Sequence, residues 1–583
     1  VIKGTETGTT TDFDGNYSIF SSDSDVLIFS FVGFMEKEIE VANADSFNVS
    51  MEMVSDELEE IVLTGYGSVK KRDLTGAIAQ IKTEVIQRAN PVQAAASLQG
   101  QVAGVLVTKA KSRPGDDFEI NIRGLNNFDD AKTRPLVVVD GILGANINDI
   151  NPIDIQAIDV LKDASSTAVY GARGANGVII ITTKKGKSGK PSVSYNGYYG
   201  IKTKAHIPNI LNSQQYYDLY KDGDRYTRGF TDQEMYNVNN GFTTDWLELV
   251  TRDAVQQNHT ISVSGGSDST TYNFSAGKQL EEGLVQNADY GRLSLNAGIE
   301  SKVSDKFKIG FTAYITQNER NWGSTEAVRS AMRARPTATP FFDEIVNPNK
   351  RDTNFGPVGN YAFYMGINDS QVINPLIEID DDNFQRQRKS NSMIANAYLE
   401  YEFMPGLKFK TSYSAYSNNQ REGEYRGTYT KSRKGSRSPI ASTIQYKTSN
   451  YTIDNTLNYQ KQIGKHSIDA TALFSVFEEY NESINIGVED LPYKSLWHSL
   501  GTGATVTSYG SNLSDYSIAS YMGRINYSFD GKYLLTVTGR QDGASQLADG
   551  NKWAFFPSAA LGWRLSEESF VKNLGLFSNL KLR

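Results

Sequence analysis

The sequence predicts an antiparallel membrane β-barrel of about a dozen strands, preceded by an α/β domain and a partial small β-sandwich domain. Apolar and polar residues alternate along many segments from residue 191 onward, which is typical of strands with two different faces. These strands are roughly ten residues long, enough for a tilted strand to cross a bilayer. Short turns also alternate with long polar stretches, as in outer-membrane barrels.

The composition narrows the class of protein. Hydrophobic residues make up 39% of the 583 residues, the mean hydropathy is −0.44, and no apolar run approaches the length of a membrane helix. A barrel remains compatible with these values because only alternate residues of its strands face lipid. Cysteine is absent, which excludes disulfides, cysteine metal sites and cysteine nucleophiles. The net charge of −8 argues against nucleic-acid binding.

The first 67 residues predict a small domain and a linker. Val26–Phe31 and Lys37–Val41 read as strands of a β-sandwich, and because Val1 opens inside a strand-like stretch, we expect the natural start to lie before it. The segment Asp12 to Asn16 resembles a calcium loop, but it lacks the further acidic ligands and is better explained as a hairpin turn. An acidic stretch then leads into the apolar segment Ile61–Leu63, which we interpret as part of a linker.

Residues 68–190 predict a mixed α/β domain. We expect one helix to begin at Asn90-Pro91, where Asn caps and Pro fits the first turn, and to stop at Gly100. A second, short helix is capped by Asp163 and ends near Gly171. The predicted strands are Val105–Thr108, Glu119–Arg123, Leu136–Val139, Ile155–Leu161 and Val178–Thr183.

From residue 191 the pattern is that of consecutive hairpins. Phe307 to Ile315 alternates apolar and polar residues, and Pro405-Gly406 and Asp530-Gly531 are short turns. Long polar stretches lie near 317–390, 418–440 and 481–513. A soluble β-sandwich or propeller is the alternative reading of the pattern alone. The chain stops inside a strand-like segment, and we expect closing strands beyond it, since an open sheet would leave unpaired backbone groups in lipid.

Several long runs resemble one family. Pro135 to Gly141, Asn151 to Ser165 and Ala168 to Ile179 are similar to the plug domain of the SusC/RagA family of TonB-dependent outer-membrane transporters from Bacteroidota. Ile122-Arg123-Gly124 matches a plug element found across TonB-dependent receptors. Residues 1–53 look like a truncated carboxypeptidase-regulatory-like domain. Further runs look like a mid-barrel signature, namely Arg540 to Ser545, Asn551 to Trp553, Pro557-Ser558 and Gly562 to Arg564.

The resemblance implies four parts: residues 1–53 as the regulatory-like domain, 54–67 as a linker, 68–190 as the plug, and 191–583 as the front of a barrel that has about 22 strands in the full protein. In the linker it places a TonB box, a short strand that adds to a sheet edge of TonB. The TonB-box residues are Glu60, Ile61, Val62, Leu63 and Thr64. The plug-motif residues are Arg123, Gly124, Asp140, Gly141, Lys162, Asp163, Tyr170, Gly171, Arg173, Gly174, Asn176 and Gly177.

The resemblance also implies a function. It implies import of a large nutrient, an oligosaccharide or a peptide, across the outer membrane, with a SusD-like surface lipoprotein as lid, TonB as energy source and outer-membrane lipid around the barrel. The plug and the N-terminal domain would lie on the periplasmic side. No cofactor and no enzymatic activity are implied. The alternative is a structural subunit that joins further subunits of an outer-membrane assembly or secretion complex.

Other candidate sites have simpler explanations. Gly171, Gly174 and Gly177 lack the spacing of a phosphate loop and more readily permit tight turns and close packing. Arg123 and Arg173, together with carboxylates in the same domain, could suggest an active site, but we favour a polar network that holds the plug in the barrel. The carboxylates are Asp140, Asp154 and Asp163. Four scattered histidines form no metal motif. Trp497, Trp553 and Trp563 could line a sugar site or anchor the barrel at the membrane interface, and the sequence leaves both open.

Overall fold

The computed structural model forms two compact units, Val1–Val62 with Val69–Asp73 and Leu63–Ser68 with Leu74–Arg583. The residues it describes are 1–5, 7–12, 15–22, 24–31, 36–41, 46–51, 61–63, 65–89, 91–109, 113–124, 133–223, 229–341, 372–435, 437–574, 576–577 and 579–583.

The first unit contains an antiparallel pair of strands, β1 (Val26–Phe29) and β2 (Lys37–Glu40). Its core is formed by Ile2, Leu27 and Val41. The backbone N–H of Asn16 donates to Asp12 Oδ1 at 2.7 Å, which supports the hairpin-turn interpretation of this segment. Asp14 lies outside the described residues. Two short strands follow, β3 (Ile61–Leu63) and β4 (Ser68–Lys70), with a 3₁₀ turn at Lys71–Asp73.

The α/β part of the second unit, which we call the plug domain, is built on a five-stranded sheet. Its long β-branched runs are buried on both faces, as the continuous apolar pattern predicts. The sheet order is β5-β10-β11-β8-β9, and β6 and β7 form a separate hairpin. The strands are β5 (Ile78–Lys82), β6 (Val105–Lys109), β7 (Phe118–Ile122), β8 (Leu136–Val139), β9 (Ile142–Leu143), β10 (Ile155–Leu161) and β11 (Val178–Thr183).

The helices of the plug domain differ from the prediction at one place. Asn90 lies outside the described residues, but the helix expected from there to Gly100 is wrong: α1 spans Thr83–Ala89, and a 3₁₀ helix occupies Ala94–Leu98 with Gln93 at its N-cap. The Ala-rich run packs into the domain core as a single tight turn, and tertiary burial overrides its helix propensity. Asp163 does cap α2 (Ala164–Thr167). Further 3₁₀ helices are Ile147–Asp149, Pro152–Asp154 and Ala168–Gly174.

The remaining described strands form one 13-stranded antiparallel sheet in which each strand pairs with the next along the chain. At Asp530-Gly531 both residues have positive φ, 55° and 62°, as a two-residue hairpin turn of this type requires. The strands are β12 (Gly189–Lys202), β13 (Ala254–Gly266), β14 (Thr270–Glu282), β15 (Ala288–Lys302), β16 (Phe307–Trp322), β17 (Phe384–Met404), β18 (Leu407–Arg426), β19 (Ile440–Ile463), β20 (His466–Glu489), β21 (Thr505–Phe529), β22 (Tyr533–Ala544), β23 (Trp553–Arg564) and β24 (Lys581–Leu582).

Several strands are much longer than the roughly ten residues predicted, and the prediction is wrong for them. β21 has 25 residues, and β16 to β20 extend into stretches that the sequence predicts as loops. Strand pairing continues beyond the lipid-facing part of the sheet because the backbone hydrogen bonds between strands do not require apolar side chains. Polar, exposed residues of β21 such as Ser508 and Asn512 form such an extension.

The barrel sheet buries polar residues and exposes apolar ones. On β15, Arg292 and Ser294 are 2% and 1% exposed, whereas Leu293 and Leu295 are 43% and 46% exposed. Because successive side chains point to opposite faces, one face is polar and covered and the other is apolar and bare. A bare apolar face over many strands is what a lipid-facing wall requires.

Aromatic rings group at the end of the sheet that carries the short turns. Phe529, Tyr533 and Trp563 follow one another across β21 to β23, with ring centroids 6.4 Å and 6.2 Å apart. Rings in this position are typical of the interfacial girdle of a membrane barrel. Trp497 lies elsewhere, buried at the long-loop end, where its Nε1 donates to Gln385 Oε1 at 2.7 Å.

Short helices lie in the longer connections between barrel strands. Trp246, Ala331 and Leu376 belong to one apolar core that joins three of them. Among the described residues, none of the helices is both long enough and apolar enough to span a membrane. The helices are α3 (Ser213–Asp222), α4 (Asp232–Asn239), α5 (Trp246–Val250), α6 (Thr325–Ala331) and α7 (Ser569–Lys572), with 3₁₀ helices at Pro375–Glu378, Leu500–Thr502 and Leu565–Glu567.

Candidate functional site at the plug–barrel interface

The plug domain packs directly against the inner face of the barrel sheet. The main apolar core of the plug includes the barrel residues Tyr314, Ile394 and Tyr416. A second core joins plug residues to Phe477 and Ile518. Apolar contact alone does not describe this interface, because most inward-facing barrel side chains are polar. Their hydrogen bonds to the plug define the site.

Arg540 on β22 is the most deeply buried cation of the interface, with 0% of its surface exposed. Its Nη1 donates to the carbonyl oxygen of Val169 in the plug. Its Nη2 donates to Ser520 Oγ at 2.8 Å, and its Nε to Asp542 Oδ1 at 2.7 Å. The guanidinium is therefore held by two barrel groups while it binds one plug carbonyl. This fork geometry suits arginine and not lysine.

The plug turn at Gly171 approaches this pair closely. Gly171 has φ 58° and ψ −141°, a backbone conformation that is accessible chiefly to glycine. A Cβ at this position would lie 1.8 Å from Asp542 Oδ2 and 2.8 Å from Arg540 Nε. The neighbouring N–H of Ala172 donates to Asp542 Oδ2 at 3.4 Å. The glycine thus permits the turn to reach the barrel wall.

Arg173 follows on the same plug segment. Its guanidinium lies over the ring of Phe477 on β20, 4.4 Å from the centroid. Both terminal nitrogens, Nη1 and Nη2, are buried without a hydrogen-bond partner. Burial lowers the pKa of Arg173 from its ordinary value. The cation is therefore held by a cation–π contact instead of a carboxylate hydrogen bond.

A second polar contact forms where the plug segment before β10 meets β14 and β16. Asp154 accepts from Ser275 Oγ at 2.7 Å and from the Tyr314 hydroxyl at 2.9 Å. The same hydroxyl accepts from the backbone N–H of Asn151 at 2.7 Å. Burial raises the pKa of Asp154, and it raises the pKa of nearby Asp149 to about 6. Hydroxyl donors from the wall thus satisfy carboxyls that water does not reach.

Arg292 on β15 supplies a third contact. It donates from Nη1 to the carbonyl oxygens of Asn148 and Ile150, at 3.1 Å and 3.3 Å, and from Nη2 to that of Val92 at 3.3 Å. One barrel side chain therefore binds three backbone acceptors on two plug segments. Beside it, Asp116 of the plug pairs with Arg320 on β16.

Other predicted plug-motif residues bond within the plug. Asp140, whose φ is 49°, accepts from Thr183 N at 3.0 Å, and burial raises its pKa. Asp163 accepts from Ser166 N at 2.8 Å; burial alone would raise its pKa, but hydrogen bonds from Ser165, Ala77 and Ser166 lower it.

The rest of the plug motif holds turns. Arg123 is exposed with φ 59°, and Gly124 and Gly141 have φ 96° and 91°. A Cβ on Gly177 would lie 2.7 Å from Ile122 Cδ1, so this glycine permits close packing. Three further members contact plug residues: Lys162 Nζ bonds Ala103 O at 3.0 Å, Asn176 Nδ2 bonds Arg134 O at 3.5 Å, and Gly174 packs on Thr167. Tyr170 lies beside Tyr66 and belongs to the core that also contains Phe477 and Ile518 of the barrel. Their assignment as functional residues stays a prediction.

The predicted TonB box is only partly visible. Ile61–Leu63 form β3, and the side chain of Val62 is buried. Glu60 and Thr64 lie outside the described residues. Immediately after it, a Cβ on Gly65 would lie 2.8 Å from Val169 Cγ2, and the ring of Tyr66 lies 6.0 Å from that of Tyr170. Burial raises the pKa of Tyr66 to about 12.

Sequence reasoning missed the barrel side of the interface. Arg292, Arg320, Ser275 and Tyr314 were not singled out, although they carry much of the contact. A signal was present in β15, where Arg292 occupies a polar position of an alternating strand, next to the apolar Leu293. A charged residue on the face opposite the apolar one points into the barrel. Which plug group it meets is not readable from spacing.

A lipid-facing sheet whose polar inner face binds an α/β domain defines an outer-membrane barrel with an internal plug. Family models match all three parts of the chain: the CarboxypepD_reg-like domain at residues 1–63, the TonB-dependent Receptor Plug Domain at 70–178, and the TonB dependent receptor-like beta-barrel at 333–580.

Two relatives and one solved structure refine the class. TonB-dependent receptor P3 of Formosa agariphila is 32% identical over 594 residues, covering 100% of this chain and 56% of the relative. TonB-dependent receptor SusC of Bacteroides thetaiotaomicron is 31% identical over 618 residues, covering 100% and 58%. The structure of the RagAB peptide importer in the 'open-open' state superposes with a TM-score of 0.75 at 23% identity, covering 90% of this chain and 60% of that one.

The chain belongs to the SusC/RagA family of TonB-dependent outer-membrane receptors. The predicted fold class, a membrane β-barrel with an N-terminal plug and a small regulatory-like domain, is confirmed. The chain spans a little over half the length of the curated relatives it matches.

Proposed function

We propose that this protein imports a large nutrient, an oligosaccharide or a peptide, across the outer membrane in a TonB-dependent manner. The observation that carries the proposal is the chemistry of the plug–barrel interface. Arg540 and Arg292 bind plug backbone carbonyls, and Ser275 and Tyr314 bind Asp154. Water can replace such polar bonds one at a time, so a plug held in this way can be displaced without unfolding the wall.

The difference between the two ends of the barrel supports one orientation in the membrane. Long connections lie at one end of the strands and short turns at the other, and outer-membrane barrels place their long loops outside the cell. The plug would then face the periplasm, where its N-terminal segment can meet TonB. A SusD-like surface lipoprotein would cover the long-loop end as a lid. The solved neighbour that supports this direction of transport is described as a peptide importer.

A path for force is present next to the proposed TonB box. TonB would add a strand to Ile61–Leu63 and pull. The segment that follows is packed on the plug through Gly65 and Tyr66, which contact Val169 and Tyr170. Val169 is also the residue whose carbonyl Arg540 binds. Tension on the box would therefore pass through Gly65 and Tyr66 to Val169 and Tyr170, and so to the buried hydrogen bond between Arg540 and the Val169 carbonyl.

Deletion of residues 60–64 tests the proposal. In cells that produce the deletion variant, uptake of fluorescently labelled peptide and oligosaccharide mixtures should fall to background, because TonB has no strand to bind. Val62→Pro should act in the same way, since proline removes a backbone donor from the added strand. Val62→Ala is the matched control, because it keeps the backbone N–H and should retain most of the uptake.

The amount of protein in the outer membrane must be equal in all these strains. Uptake that is unchanged in the deletion variant contradicts TonB-dependent import. Stable co-purification with assembly or secretion components, with normal uptake in the deletion variant, would instead favour the structural-subunit alternative.

A further inference from the structure

A cavity of about 460 Å³ lies at the long-loop end, between the plug, the connection that follows β16, and the ends of β17 and β18. This volume is within the range of ligand sites in proteins. Plug residue Arg113 forms one side, and the ends of β17 and β18 contribute Arg386, Glu424 and Arg426. The side chains of Arg386 and Arg426 are 40% and 43% exposed, so water and solutes reach the cavity from this end.

The lining carries more positive than negative charge. Five cationic side chains face three carboxylates. Two carboxylates are already paired: Glu326 with Arg329 at 3.0 Å, and Glu424 with Arg426. The third, Glu378, accepts from Ser324 Oγ and the Lys431 N–H, and burial raises its pKa. The cationic residues are Arg113, Arg329, Arg386, Arg426 and Lys431.

Arg113 is the least compensated of these cations. Within the described part of the chain, its guanidinium has no carboxylate partner in the ion pairs of the cavity. Burial, and then the positive charge of Arg386, lower its pKa. Two guanidiniums that repel one another across this cavity would both be stabilised by an oxyanion placed between them.

A neighbouring cluster fixes the geometry of Arg386. The ring of Trp322 is covered by three guanidiniums, with Cζ atoms at 4.8 Å for Arg320, 4.6 Å for Arg386 and 4.6 Å for Arg388. Glu422 accepts from Arg386 Nη2 at 2.7 Å and from Arg388 Nη2 at 3.0 Å. Arg386 is therefore held before any ligand arrives, which lowers the entropy lost on binding.

We propose that this cavity binds a carboxylate group of the imported molecule, with Arg113 and Arg386 as the two guanidiniums that receive it. The inference rests on the proposed import function and specifies its substrate class as an acidic oligosaccharide or an acidic peptide. Arg113 can offer paired N–H donors to a carboxylate, whereas Arg386 uses Nε and Nη2 to bind Glu422 and would add a hydrogen bond from Nη1. A neutral ligand of the same length lacks the charge that both guanidiniums favour.

Equilibrium binding to the purified, detergent-solubilised protein tests the inference without TonB. The carboxylated probes are hexagalacturonate and hexaglutamate, and their neutral counterparts are maltohexaose and hexaglutamine. We expect at least one carboxylated probe to bind, to bind more weakly as salt is raised, and to bind more tightly than its neutral counterpart. The probe that binds distinguishes an acidic sugar from an acidic peptide.

The double variant Arg113→Gln, Arg386→Gln should weaken that binding on the order of tenfold for each guanidinium removed. Arg437→Gln is the matched control, since it removes one exposed charge outside the cavity lining and should bind as the unchanged protein does. Thermal unfolding of each variant verifies that it is folded.

The inference is overturned if neither carboxylated probe binds, if the neutral probe binds equally well, or if the double variant binds unchanged. Because the assay contains no TonB, its result is independent of the uptake experiment. Uptake can depend on residues 60–64 while the cavity has no preference for carboxylates, and the reverse outcome is equally distinguishable.

Discussion

Gly171 illustrates how a single residue connects plug and barrel. Its backbone conformation is one that glycine adopts readily, and the space for a side chain is filled by Asp542 and Arg540. The resemblance places this glycine in the plug motif, and the sequence predicts a tight turn there. The structure adds the partner across the interface, which no spacing along the chain indicates.

Replacement of Gly171 by alanine should destabilise the protein more than a backbone effect alone. The positive φ costs about 1–3 kcal/mol for a residue with a Cβ, and the contact with Asp542 adds to this. Gly100→Ala is the matched control, because Gly100 has φ 71° but open space around it. Differential scanning fluorimetry should give a clearly larger fall in Tm for Gly171→Ala. Equal shifts would show that the Asp542 contact does not matter.

At the scale of the element, the sequence predicts the two faces of a barrel strand better than it predicts where the strand ends. The alternation from Phe307 to Ile315 predicts the two faces of β16, and the structure confirms an apolar outer face, where Phe311 and Ile315 are exposed. Strand ends are less predictable, because backbone pairing extends β16 to β21 beyond the apolar residues that mark the membrane. The helix expected at Asn90 failed for a related reason, since packing of Ala94–Leu98 overrode its propensity.

Removal of Arg292 from β15 should loosen the plug. Arg292→Ala leaves the carbonyls of Asn148, Ile150 and Val92 without their barrel donor, a loss on the order of 3 kcal/mol. Planar-bilayer recordings should show more frequent channel-like openings than for the unchanged protein.

Arg252→Ala serves as the control for this experiment. Arg252 is also a barrel arginine, but its bonds are to Asp289 and Gly283 O. Openings that are equally frequent in both variants would mean that Arg292 does not hold the plug closed.

At the scale of the whole molecule, the plug domain has a buried apolar core, whereas the barrel sheet inverts the distribution of polarity relative to a water-soluble protein. Leucine, isoleucine and phenylalanine side chains are bare on the outer face, and serine, threonine, asparagine and arginine are buried within. The bulk composition conceals this inversion, since the mean hydropathy of −0.44 averages both faces. The alternation of apolar and polar residues along the sequence indicates this inversion.

A charge on the outer face should therefore be harmful. Leu295→Arg, near the middle of β15, should lower the free energy of unfolding from lipid vesicles by about 2–4 kcal/mol, measured by urea titration. Tyr509→Arg is the control: Tyr509 is also exposed, but it lies in the polar extension of β21 and should tolerate arginine. A neutral effect of Leu295→Arg would contradict a lipid-facing wall.

The sequence by itself determined the order of the parts, the two faces of the barrel strands and the short turns such as Asp530-Gly531. These features depend on residues close to one another in the chain. Only the tertiary structure decided which groups meet across the interface, such as Arg540 with Val169, about 370 residues apart. It also brought Arg113 of the plug beside Arg386 of the barrel. Such pairs arise from the position of the plug within the sheet, and local propensity and periodicity contain no information about that position.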